Sequence, residues 1–172
     1  NHYFAFFHPL QQTQECFFLF AGQWSVFKFP KDIRKRMDDF IRQNPGNCYF
    51  LFERIPQESQ FNALASVCDI LFACYRNFRH SSNILTKAAM YGKPIIVNDN
   101  YLMAERVQQY HLGKIVPQGN IPACIQAIRE LSNPDGYQAW AQENECAKYA
   151  QLHSISRLDL ALQQMMSVVR KN

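Results

Sequence analysis

The chain has no apolar run of the ~20 residues that a helix needs to cross a bilayer. "CFFLFAG" and "CYFLF" are strand-length. The opening "NHYFAFFHPL" lacks the basic head, long apolar stretch and small-residue cleavage site of a secretory signal. None of the six cysteines (16, 48, 68, 74, 124 and 146) belongs to a C-x-x-C pair, which argues against a zinc site or a dense disulfide framework. Buried, reduced thiols are the expected state, and with them a cytoplasmic setting. A P-loop is excluded because G-x-x-x-x-G-K-[ST] does not occur. Neither H-E-x-x-H nor a Ser/His/Asp order appears, and no repeat or low-complexity tract is present. The net charge of +4 permits an anionic ligand without demanding nucleic acid.

What is present is a globular composition, 48% hydrophobic, in 172 residues, enough for one domain with a continuous core. The first residue is Asn rather than Met, so an excised domain is expected. Short apolar runs alternate with amphipathic stretches. Glu15 to Gly22 reads as a strand buried on both faces. Pro30 to Asn44 reads as a helix with Ile33, Met37, Phe40 and Ile41 on one stripe. Strands are expected at Asn47 to Glu53, Asp69 to Tyr75, Pro94 to Val97 and in "GKIVP". Helices are expected around Phe61 to Cys68, after Ser81-Ser82-Asn83, from Tyr101 to Tyr110 and from Ile121 to Leu131, the last capped by Asn120 with Pro122 in its first turn. Two further helices close the chain, the final one striped by Ile155, Leu158, Leu162, Met165, Met166 and Val169. Strand–helix repeats of this kind predict an α/β fold: a three-layer, Rossmann-like domain with a mostly parallel sheet. Residues 15–152 form the domain, 1–14 an entry segment, and 153–172 a terminal helix expected to pack back on it.

Ligands of such folds bind outside the carboxyl ends of the strands, in the loops Gln23 to Phe29, Arg54 to Glu58, Arg76 to Asn83 and Asn98 to Asn100. Lys28 stands alone in a neutral loop, either reaching an anion as a point charge or facing solvent. In "RNFRHSSN", Arg76, Arg79 and His80 precede a helix start at Ser81, Ser82 and Asn83. Free N–H groups at that start favour an anion, although capping alone also accounts for the serines. "KDIRKR" reads as the solvated face of a helix. The aromatics lie in strands rather than among basic residues, which disfavours a stacking platform for nucleic acid.

"LTKAAMYGKPIIVND", "ERVQQYHLGKIV" and "IPACIQAIREL", in that order, resemble the C-terminal half of a GT-B glycosyltransferase of the group 1 type. "DILFACYRNFRHSSN" and "FLFAGQWSVFKFPKDI" are similar to that family's preceding strand-and-loop pieces. The likeness runs from about Glu15 to Leu131. It implies a hexosyltransferase-type activity in carbohydrate biosynthesis, with this chain as the half that binds a nucleotide-sugar donor. The acceptor, and often the catalytic base, would lie in an N-terminal domain of the same protein.

The resemblance places Gly22, Gln23, Lys28, Ser81, Ser82 and Asn83 at the donor diphosphate. It places Arg54, Ile55 and Lys87 at the base and ribose. It implies no metal and no cofactor, no nucleic acid, and a cytoplasmic enzyme that touches a membrane only peripherally, at its cytosolic face. The family's paired glutamates fall on Arg79 and Lys87, and Gln23 replaces its arginine. A lysine donates hydrogen bonds and cannot accept them from a ribose diol, so the catalytic residues stay unassigned. Three readings follow: a divergent branch with a more anionic donor, a Rossmann-like binding module without transfer chemistry, or a Lys87 that points away from the site. Glu105 keeps the family's helix position, where it supports structure.

Overall fold

The structure, a computed structural model, describes residues 15–23 and 29–169. Five short strands alternate with helices: β1 (Phe18–Ala21), α1 (Lys31–Gln43), β2 (Cys48–Leu51), α2 (Glu58–Val67), β3 (Leu71–Ala73), α3 (Asn83–Met90), β4 (Ile95–Asn98), α4 (Tyr101–Gln109), β5 (Gly113–Val116) and α5 (Ile121–Ser132). Three helices follow: α6 (Pro134–Glu143), α7 (Cys146–Leu152) and α8 (Ile155–Val169). All strand pairs are parallel, and the fold is α/β and Rossmann-like, as the alternation predicts.

The expected single sheet is divided. β1 bonds to β2, while β3, β4 and β5 form a separate ladder with β4 in the middle. β4 is the most buried strand, with Ile95, Ile96 and Val97 fully shielded and Asn98 buried. That is why its sequence is continuously apolar rather than alternating. Leu71 faces Ile95 on one side of β4, and Gly113 faces Ile95 on the other. Leu85, Ala88 and Ala89 of α3, Met103 and Val107 of α4, and Cys124, Ala127, Ile128 and Leu131 of α5 close this core. A smaller cluster of Met37, Phe40 and Cys48 joins α1 to β2, and Phe18 packs against both clusters. Phe20 and Phe50 stack across the β1–β2 pair at 5.2 Å.

Helix boundaries follow local chemistry. Asn120 Oδ1 accepts from the Ala123 N–H at 3.0 Å, and Asn133 Oδ1 accepts from the Asp135 N–H at 2.9 Å, each with a proline in the first turn. All six cysteines are free, with Cys48, Cys124 and Cys146 buried and the other three partly so. No helix among the described residues is long and apolar enough to cross a membrane.

The terminal helix is a correction to the sequence expectation. Its stripe does not pack back on the domain: Ile155 is 86% exposed, Met165 67% and Leu158 61%. The next helix in the chain, α7, takes the docking place instead, burying Cys146 and Tyr149 against the main core, with its closest packing on α3. A chain ended after Ser154 is therefore expected to keep its unfolding free energy within about 1 kcal/mol, since exposed positions carry little stability. Urea titration of the two chain lengths checks this. A larger loss would mean that α8 rests on the body.

Candidate functional site

The carboxyl ends of β3, β4 and β5 converge on one edge, and side-chain bonds tie their loops together. Asn98, the last residue of β4, is buried and donates from Nδ2 to the Tyr75 carbonyl at 2.7 Å. Asp99 Oδ1 accepts from the Gln118 N–H at 3.1 Å and from Asn100 Nδ2 at 3.0 Å. Gln118 reaches back to Asn77, accepting from its N–H at 2.8 Å and donating to its side-chain oxygen at 3.2 Å. The loops after three strands thus form one ledge. Asn77 (φ 51°) and Tyr101 (φ 67°) both adopt left-handed backbone there. For a tyrosine that conformation is costly, and strain of this kind gathers at functional sites.

Above the ledge, the Arg79 guanidinium lies 5.7 Å from the centre of the Tyr101 ring. His80 meets Phe78 edge-on at 5.8 Å, and Phe78 meets Tyr75 at 5.1 Å. Arg76, Arg79 and His80 are all exposed. Next to them α3 begins with Ser82 as its cap residue, whose side chain makes no capping bond. Ser81 is differently used. Burial pushes the Tyr149 phenol up, while the Ser81 hydroxyl, the Arg106 charge and the Thr86 hydroxyl pull it partway back. Ser81 is therefore in part a contact of α7.

Of the other residues expected at the site, Gly22 (φ 126°) ends β1 and donates its N–H to the Leu51 carbonyl at 3.0 Å. Only glycine takes that conformation without strain. Gln23 and Arg54 are exposed and Ile55 is half-buried. Asn83 opens α3 and is exposed. Lys28 lies outside the described residues. Lys87 is 6% exposed, and its ammonium donates to a Glu58 carboxylate oxygen and to Asn62 Oδ1, 5.2 Å from the Phe61 ring centre. It thus faces α2, one turn beyond the Arg54–Gln57 loop, and its charge is matched inside the protein. Glu58 itself stays mostly in water.

Gln118 lies outside the four loops expected to carry the site. Asn77, Asn98 and Asp99 lie within two of them but were given no role, because nothing local ties Asn77 to Gln118. Among the described residues no group of His, Cys, Asp or Glu is arranged to hold a metal ion. The chain matches no protein-family model, no curated protein and no solved structure.

Proposed function

We propose that the chain is the donor-binding half of a glycosyltransferase of the GT-B type, and that the ledge at the ends of β3, β4 and β5 receives a nucleotide sugar. The observation that carries this reading is the start of α3. Ser82 leaves the first-turn N–H groups without a side-chain cap, and Arg76, Arg79 and His80 stand exposed in the loop leading to it. The Leu85 N–H is taken by the Ser82 carbonyl at 3.0 Å, while the Asn83 and Ile84 N–H groups, the positive end of the helix and three basic side chains together suit a diphosphate.

Lys87 does not supply the acceptor that a ribose needs. It holds Glu58, whose carboxylate is mostly exposed and follows directly on the Arg54–Gln57 loop. In this reading the carboxylate that accepts from the ribose hydroxyls comes from α2 rather than α3. The acceptor substrate and the catalytic base belong to a separate N-terminal domain. Buried use of Lys87 also favours a second reading, a Rossmann-like nucleotide-binding module without transfer chemistry.

Calorimetric titration with nucleoside diphosphates tests both. Binding is expected, weaker for 2′-deoxyribose than for ribose nucleotides. Lys28→Ala is expected to weaken diphosphate binding more than nucleoside binding. An intact fold that binds none of the panel would end both readings. Sugar transfer by the natural full-length protein separates the enzyme from the module.

A further inference from the structure

β1 and β2 pair in parallel, and one face of the pair is covered. Phe18 and Phe20 of β1, with Cys48 and Phe50 of β2, join α1 in the small core cluster. Side chains alternate along a strand, so Leu19, Tyr49 and Leu51, with Phe17 just ahead of β1, belong to the other face. Phe17 is 67% exposed and Tyr49 54%. Leu19 and Leu51 are partly exposed and join neither core cluster among the described residues. Parallel strands occur with helices over both faces, and among the described residues this face lacks its helix. The same chain holds a helix that lacks its sheet. Ile155, Leu158, Leu162, Met165 and Met166 form one stripe of α8, all of them exposed.

We propose that α8 of one copy of this chain covers the bare β1–β2 face of a second copy, reciprocally, in a closed two-fold dimer. The dimensions agree. A helix is about 10 Å across and paired strands lie about 4.8 Å apart, so one helix roofs a two-stranded ladder. The stripe joins no core cluster of its own chain, so the sheet it covers belongs to another copy. Only His153 and Ser154 separate α8 from α7, which is docked on α3, and short hinges of this kind invite exchange between copies. The stripe and the sheet face together offer about 600 Å² of apolar surface per contact. Two reciprocal contacts therefore hide about 1,200 Å², where stable interfaces begin. Pairing α8 with α8, or laying it on a bilayer, leaves Phe17 and Tyr49 in water. The reciprocal exchange covers both bare surfaces at once.

Sedimentation equilibrium of the full chain over a wide range of concentration tests the proposal. A monomer–dimer equilibrium is expected, with a dissociation constant on the order of micromolar. Leu158→Gln with Met165→Gln, on the stripe, is expected to weaken the dimer at least about tenfold. Tyr49→Lys, on the sheet face, is expected to do the same, although it lies on a different element. Leu160→Gln is the control. Leu160 is also exposed but stands on the opposite side of α8, so the dimer is expected to survive its loss. All these side chains are exposed in the monomer, and unchanged circular dichroism spectra show that each variant folds. The small effect expected on ending the chain after Ser154 then holds for dilute protein and grows with concentration. A monomer at every concentration would overturn the proposal, as would an open series of larger species. A dimer that responds to the stripe but is indifferent to Tyr49→Lys would overturn it too, and assign the contact to α8 pairing with itself.

Discussion

Gly113→Ala is expected to destabilise the chain by about 3 kcal/mol or more, the upper part of the range for forcing an atom into a packed interior. Gly113 opens β5 opposite Ile95. A Cβ at this position would meet the Ile95 carbonyl oxygen at 2.0 Å, its nitrogen at 2.5 Å and its carbonyl carbon at 2.8 Å. All three are backbone atoms of the most buried strand, so no side chain can turn aside to make room. β5 must then move away from β4, stretching the 3.0 Å bond from the Ile95 N–H to the Leu112 carbonyl. Thermal unfolding is expected to shift down by about 6–12 °C for a chain of this length. Gly46→Ala is the control, because a Cβ there meets nothing within 4 Å, and it is expected to cost under about 0.5 kcal/mol. Equal behaviour of the two variants would mean that the β4–β5 register is wrong.

The need for glycine at 113 comes from Ile95 on the neighbouring strand, which shows where sequence reading ends. Strands and helices are written in local signals. The continuous apolar run of β4 and the Asn120 cap with Pro122 behind it lie where the pattern puts them. α2 starts at Glu58, ahead of the expected Phe61, because its first turn is polar and gives no apolar period to read. The chain closes with α6, α7 and α8 rather than two helices, since Asn144-Glu145 is a weak break.

The division of the strands into two ladders was not legible, because pairing of distant strands has no local mark. The site follows the same rule. Its location came from topology, and the structure puts Arg79 and the α3 start at that edge. Ser81's turn toward Tyr149 depends on α7, more than sixty residues away in sequence. Lys87 lies off the Leu85–Ala88–Ala89 stripe of α3, where the helical pattern assigns polar residues to water. α2 covers that side and buries it. Glu58 and Asn62, four apart on α2, share a face, but their spacing says nothing of the partner they bind.

Lys87 and Glu58 are expected to respond to substitution with unequal cost, although they form one pair. The lysine side chain is 8% exposed and the glutamate 70%. Glu58→Ala strands an ammonium in a site that offers it only Asn62 Oδ1 and the face of Phe61. The expected loss is about 2–4 kcal/mol, reflecting a buried charge without its counter-ion. Lys87→Met removes the charge that needed a partner, fills most of the volume, and lets Glu58 return to water. Its expected loss is under about 1.5 kcal/mol, as for a swap that keeps side-chain volume. In the Lys87→Met background, Glu58→Ala is then expected to cost under about 0.5 kcal/mol, so the two changes are strongly non-additive. Lys87→Glu, which places the resembling family's residue at this position, sets two carboxylates against each other and is expected to be the worst of the series. Adding Glu58→Lys should recover part of that loss by reversing the pair. Urea unfolding of the five variants reads every term. Equal losses for Glu58→Ala and Lys87→Met, or simple additivity between them, would place the ammonium in water and return Lys87 to the ligand side of α3.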